Sequence, residues 1–162
     1  MKDLITIKPI CDTDRIWLPV WISQRWRTET LVFRGEKNSP AELPGFVAFM
    51  HKMPVGVITY RIKDDVCQII SLDTVVHGKG IGLSLLEKVL ELMQKEKIHK
   101  VRMLTTNDNI KRMEFLENAG FKRVKVYEDE VVKYSRKVKP EIQPYGYEHI
   151  PIKDEIEYCR EL

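Results

Sequence analysis

Asp73-Thr-Val-Val-His-Gly-Lys-Gly-Ile-Gly-Leu-Ser-Leu-Leu-Glu87 sets three glycines, at 78, 80 and 82, within five positions and passes directly into an apolar run of helical period. The residues before it, from Val66 to Val75, read as a strand, so the glycines stand in a strand-to-helix turn. The first N–H groups of a helix have no partner inside it and lie at the positive end of its dipole. Glycines at such a turn remove the Cβ atoms that would hold a bulky anion away from those donors, and Lys79 and His77 add charge or hydrogen bonds. The stretch therefore reads as a phosphate-binding loop. An empty tight turn is the plain alternative that its sequence context has to displace.

Downstream, Leu83, Leu86, Val89, Leu90 and Met93 recur at three- and four-residue steps, which predicts a helix with one buried face ending near Lys97. Lys100 to Thr106 is a short strand, Asn109 to Ala119 a second helix stopped by Gly120, and Phe121 to Tyr127 and Val131 to Val138 read as two strands around Glu128-Asp129-Glu130. Upstream, Phe46 to Met50, Val55 to Ile62 and Val66 to Val75 form an antiparallel meander. Arg34 to Pro44, with Gly35, Asn38, Ser39, Pro40 and Pro44, reads as an irregular loop. Leu4 to Ile10 is a strand, and Ile16, Trp17, Val20, Trp21 and Trp26 fall near helical spacing, with Pro19 tolerable early in that helix. Two phosphate loops are set aside. Lys79 is followed by Gly80 and not by Ser or Thr, and the loop follows a meander where a dinucleotide fingerprint would open the chain with a βαβ unit.

At 162 residues the chain suits one domain with one site. The formal charge of +3 comes from 27 basic and 24 acidic residues interspersed, which gives a nucleic-acid partner no electrostatic support. Cys11, Cys67 and Cys159 are odd in number and widely spaced, which points to reduced thiols, no zinc site and a cytoplasmic location. No stretch reads as a signal peptide or membrane span.

The segment His77-Gly78-Lys79-Gly80-Ile81-Gly82 resembles the acetyl-CoA loop of the GNAT N-acetyltransferase superfamily, Gln/Arg-x-x-Gly-x-Gly/Ala, with His77 departing at the first position. Asn109-Ile-Lys-Arg-Met-Glu-Phe115-Leu-Glu-Asn-Ala-Gly120-Phe121 resembles the family's second cofactor-side segment, and it follows one strand after the first helix. The likeness extends along the whole chain, to a bacterial-type subgroup of unassigned acceptor. It implies an α/β (α+β) fold with a mixed, mostly antiparallel sheet splayed at the cofactor site and flanked by helices. Residues 1–138 are expected to form the N-acetyltransferase domain. The tail, 139–162, would pack on the same domain or on a second copy of the chain, as in a homodimer.

The resemblance further implies acetyl transfer from acetyl-CoA to a primary amine of a small molecule or peptide, by direct attack and without a metal. Leu72, Asp73 and Thr74 would line the pantetheine arm and acetyl carbonyl. His77, Gly78, Lys79, Gly80, Ile81, Gly82 and Leu83 would hold the pyrophosphate, and Asn109, Arg112 and Phe115 the far side. The family's usual tyrosine acid falls at Leu116. Water can reprotonate a thiolate whose pKa is near ~8.5, so that loss is not fatal, and Tyr127 or Tyr134 is a spatial substitute. A Glu common early in the preceding strand is replaced near Gln68, which leaves Asp73 and Asp108 as candidate bases. Each also has a structural reading, Asp73 at a strand end and Asp108 as a helix cap. Leu116 and Gln68 keep a second function open, that of a GNAT-like acyl-CoA sensor with little turnover; a protein-interaction domain with an empty loop would not bind coenzyme A at all.

Overall fold

In the computed structural model, which describes residues 4–26, 28 and 30–162, seven strands make one sheet. In chain order the elements are β1 (Ile5–Pro9), α1 (Leu18–Trp26), β2 (Leu31–Phe33), β3 (Glu36–Asn38), β4 (Gly45–Met50), β5 (Met53–Lys63), β6 (Val66–Thr74), α2 (Ile81–Lys95), β7 (Lys100–Thr106), α3 (Ile110–Asn118), β8 (Lys122–Tyr127) and β9 (Glu155–Glu161). The sheet order is β1-β4-β5-β6-β7-β9-β8, and β2 and β3 pair as a separate hairpin. The β6–β7 pair is parallel and the other pairings are antiparallel. This is the mixed, mostly antiparallel sheet expected.

One sheet face is apolar. Ile58, Tyr60, Cys67, Ile69, Val101, Met103, Ile156 and Tyr158 pack there against Ile81, Leu85, Leu86, Val89 and Met93 of α2 and Met113 and Leu116 of α3. Each fully buried Leu or Ile of this kind contributes about 1.5–3 kcal/mol. Leu83 is not on the buried face: it is exposed, because the helix starts at Ile81 and positions 81, 85, 89 and 93 set the stripe. On the opposite face, Val47 and Val57 pack against Leu18, Trp21 and Ile22 of α1. Pro19 sits in the first turn of α1, where its missing N–H has no ladder partner to lose.

A bulge changes which residues of β6 face α1. Tyr60 pairs with Ile69 but Thr59 pairs with Ser71, so Ile70 is the extra residue. The flip puts Leu72 with the apolar core and turns Ser71, whose hydroxyl lies 2.6 Å from that of Thr59, to the other side. Gln68, Arg102 and Glu157 meet beyond it, Gln68 accepting from Arg102 Nη2 at 3.0 Å and Glu157 accepting from the Tyr127 hydroxyl at 2.8 Å.

Two elements differ from the sequence reading. Residues 34–44 are not irregular: the β2–β3 hairpin turns at Arg34 and Gly35, both left-handed at φ 52° and 71°, and Pro40–Glu42 forms a 3-10 turn. Three-residue strands are too short to show a period, and Arg34 is an unusual left-handed residue. Val131 to Val138 is not a strand but a helical segment, Val131–Ser135 continuing as Arg136–Val138. Its β-branched start suggests extension, yet burial falls at Glu130, Val131 and Ser135 while Val132 and Tyr134 face solvent, a helical spacing. Glu130 pairs with Arg34 Nη1 at 2.6 Å, and Ser135 donates to Glu155 Oε2 at 2.8 Å. The strand beside β8 is instead β9, from the segment set apart as a tail, lodged between β7 and β8.

Glu155 is 1% exposed and also accepts from the Arg34 N–H at 2.7 Å, so one carboxylate ties the hairpin and the helical segment to β9. Burial pushes its carboxyl up, against those two hydrogen bonds. Glu155→Leu should cost about 2–5 kcal/mol in urea unfolding, because a buried N–H and hydroxyl lose their acceptor. Glu155→Gln keeps an acceptor and should cost much less. A raised folded pKa means the folded state binds the extra proton, so this group's favourable contribution is full below the ordinary Glu value and is lost as pH rises through the raised one. Stability measured across that window should lose this slope in Glu155→Gln.

Candidate functional site

β6 and β7 separate part-way along. Their ladder runs from Val66↔Lys100 to Ile69↔Met103, after which β6 continues with β5 to Thr74 and β7 with β9 to Thr106. The cleft so opened lies between Leu72–Asp73–Thr74 on one lip and the end of β7 with the start of α3 on the other. At its β6 end the chain runs through the exposed residues His77, Gly78, Lys79 and Gly80 into α2. Gly78 and Gly80 have φ of 77° and 69°, and a Cβ built on either meets nothing within 4 Å, so the ground in front of the helix is open. The first bond of α2 is Ser84 N–H to Gly80 C=O; the N–H groups of Ile81, Gly82 and Leu83 precede it at the positive end of a fifteen-residue helix. A Cβ on Gly82 would touch the Phe115 ring at 3.7 Å, which brings α2 and α3 together at this point.

On the second lip, Asn109 caps α3 by accepting from the Arg112 N–H at 3.1 Å. Arg112 then reaches across the cleft, donating from Nη2 to Leu72 C=O at 2.6 Å, with its guanidinium 5.7 Å from the Phe115 ring centre. Burial lowers the proton affinity of Arg112, with Asp73 and Tyr147 acting the other way. Asp73 is half-buried and accepts from Trp26 Nε1 at 2.6 Å. Burial pushes its carboxyl above the usual range, opposed by the Trp26 hydrogen bond and by Arg112 and Arg25. Leu72, Asp73, Thr74, Arg112 and Phe115 thus meet at one cleft, with the glycine loop at its end.

Asp108 is not the cap of α3, a place Asn109 takes. It is 3% exposed, with Oδ1 accepting from the Thr106 hydroxyl and Oδ2 from the Tyr147 N–H at 3.2 Å. Oδ2 thus ties the Tyr145–Pro151 loop to the mouth of the cleft, while Oδ1 is held locally by the end of β7. Asn107 helps: its Nδ2 donates to Pro151 C=O at 2.8 Å, and its Oδ1 accepts from the N–H groups of Lys153 and Asp154. A Cβ on Gly146 would stand 1.9 Å from Asp108 Oδ2. Gly146→Ala should therefore displace this loop and cost about 1–3 kcal/mol, visible as faster amide exchange at 144–154 with little change in α2.

Leu116 lies in the core at 0% exposure. Tyr127 is engaged with Glu157, and Tyr134 is 55% exposed on the helical segment. Tyr147, bonded through its backbone at the cleft mouth, escaped sequence reasoning because it is 39 residues from Asp108 with no periodic signal. Of the tryptophans, Trp21 is buried, Trp17 packs edge-on against Phe49, and Trp26 contacts the site. Burial pushes the Cys67 thiol up to about 12. Among the described residues no group of His, Cys, Asp and Glu is arranged to hold a metal ion, and no helix is long and apolar enough to cross a membrane.

A splayed β6–β7 pair, a glycine loop opening α2 and a second helix closing the cleft are features of an acyl-CoA acyltransferase fold. Residues 11–121 match the Acetyltransferase (GNAT) family, and the chain belongs to that family. It is 33% identical over 159 residues to "Uncharacterized protein YxbD" of Bacillus subtilis (strain 168), covering 98% of this chain and 99% of that protein. Among solved structures it superposes on an IAA acetyltransferase from Bacillus cereus ATCC 14579 with a TM-score of 0.70 at 19% identity, covering 98% of this chain and 100% of the other. A GNAT family acetyltransferase from Elizabethkingia anophelis with acetyl-CoA bound gives a TM-score of 0.69 at 18% identity, covering 99% and 100%.

Proposed function

We propose that this protein transfers an acetyl group from acetyl-CoA to a primary amine of a small molecule or peptide. The observation that carries the reading is the cleft itself, with open glycine backbone at a helix N-terminus at one end and a carboxylate of raised proton affinity at the other. The residues present are compatible with the cofactor: the backbone at Gly78 and Gly80 faces open space in front of the α2 N-terminus, and the solved relative carrying acetyl-CoA shares the fold. The N–H groups of Ile81, Gly82 and Leu83, with His77, Gly78, Lys79 and Gly80, would hold the diphosphate. Leu72, Asp73 and Thr74 would line the arm, and Asn109, Arg112 and Phe115 the opposite lip. Acetyl-CoA supplies a thioester that an amine attacks directly.

Asp73 takes the proton from the acceptor ammonium in this reading. Trp26 fixes its Oδ2, and burial has already moved it toward the proton affinity a base needs. Asp108 has both oxygens engaged, which supports Asp73 over it. With Leu116 buried, water returns the proton to the departing thiolate. Residues 139–162 are read as part of the same unit, a reading that the place of β9 between β7 and β8 supports. The three free thiols agree with a cytoplasmic setting.

A second reading, an acyl-CoA sensor with little turnover, is favoured by Gln68 being bonded to Arg102 and by the buried Leu116. Release of coenzyme A from acetyl-CoA in the presence of a mixed amine library separates the two. Amine-dependent release with acetylated product supports the enzyme; tight binding without release supports the sensor.

A further inference from the structure

The two charges at the acyl end of the cleft are opposite, close together and not paired with each other. Arg112 Nη2 donates to the carbonyl of Leu72, and Asp73, the next residue, accepts at Oδ2 from Trp26 Nε1. Among the described residues no ion pair joins them within 4.0 Å. Each keeps capacity to spare: a guanidinium has five donors, of which one is engaged here, and a carboxylate has a second oxygen. The arrangement is held from outside, by the cap that orients the first turn of α3 and by the indole of α1. Arg112 stands at Leu72, at the acyl end, whereas the open glycine backbone is at 78–80.

We propose that the acceptor is a free amino acid or a similarly small zwitterion, whose ammonium meets Asp73 and whose carboxylate meets Arg112. This rests on the acetyltransferase reading and names its substrate class. An amine lacking an anionic group would bring a second positive charge beside a half-buried guanidinium with only Asp73 to offset the two, which the low-polarity setting penalises. A carboxylate on the same carbon as the amine satisfies both lips at once, and Arg presents a planar fork suited to it. Burial lowers the proton affinity of Arg112, and the nearby Asp73 offsets that only in part. Trp26, 37% exposed, holds Asp73, and Tyr147, 63% exposed, sits on the loop tethered to Asp108, so both present aromatic surface to solvent near this pair.

The test measures binding to the full chain, with and without saturating coenzyme A, of the twenty free L-amino acids, their methyl esters and the corresponding decarboxylated amines. Acetylation of the same panel is followed in parallel. At least one amino acid should exceed its ester and its amine by about 10-fold or more, the worth of a charge-assisted contact. Arg112→Gln should bring that ratio to about one by lowering amino-acid affinity and not ester affinity, and Arg112→Lys should restore part of it. Esters or plain amines that match every amino acid, a preference that survives Arg112→Gln, or no amino-acid binding at millimolar concentration would each overturn the proposal. Failure of coenzyme A to bind while the amino-acid preference persists would overturn the acetyltransferase reading and leave the zwitterion site standing.

Discussion

Gly80→Asp is expected to weaken acetyl-CoA binding by roughly 100-fold or more while the domain stays folded. A carboxylate placed at the mouth of α2 faces the ground proposed for the diphosphate, and two unit charges near 4 Å repel by about 4 kcal/mol at the effective dielectric of a protein surface. The side chain also fills space that is open in the native loop. The cost to folding is smaller. Gly80 has φ 69°, a left-handed position that Asp tolerates better than most residues, at about 1–2 kcal/mol, and a negative charge at a helix N-terminus returns about 0.3–1 kcal/mol. Calorimetric titration with acetyl-CoA, beside a thermal melt, separates the two effects. Undiminished affinity in a folded variant would place the cofactor elsewhere.

Asp73→Asn should lower kcat by about 10²–10⁴-fold with coenzyme A affinity changed little, the range expected when a general base is removed. The amide keeps an oxygen for Trp26 Nε1, so the lip should hold its shape. The pH profile carries the sharper signature. Burial pushes the Asp73 carboxyl up, and a base works only when deprotonated, so wild-type kcat/KM should fall as pH drops through a value above the ordinary carboxylate range. The Asn variant should lose that acid limb and retain the rise set by the acceptor amine alone. Full activity in Asp73→Asn would assign deprotonation to solvent, because the oxygens of Asp108 are already engaged by Thr106 and Tyr147.

What could be read from sequence was whatever is written locally. The glycine spacing at 78, 80 and 82, the α2 stripe at Leu86, Val89, Leu90 and Met93, the opening of α3 at Asn109 and the β5–β6 turn all depend on residues within a few positions of one another and are found where they were expected, whereas Leu83 leaves the stripe and the cap of α3 is Asn109, not Asp108. The errors have the same origin. The β2–β3 hairpin has three residues a side, and Val131-Val132 is β-branched, so propensity pointed to loop and strand where long-range partners select a hairpin and a helix. Arg34 and Glu155, whose contact helps settle both, are 121 residues apart.

The amino-acid sequence by itself determined the family, the glycine-rich turn into α2, the two helices that bound the cleft and the presence of a carboxylate at 73. Only the tertiary structure decided that the last strand lies between β7 and β8, that Asp108 is occupied as a structural tie, and that Arg112 crosses the cleft to Leu72 while Asp73 is held by Trp26. The reason is physical. Helical period and turn chemistry are properties of neighbouring residues, whereas the partner of a buried charge is chosen by whatever the folded sheet brings within reach, here an indole 47 residues from its carboxylate.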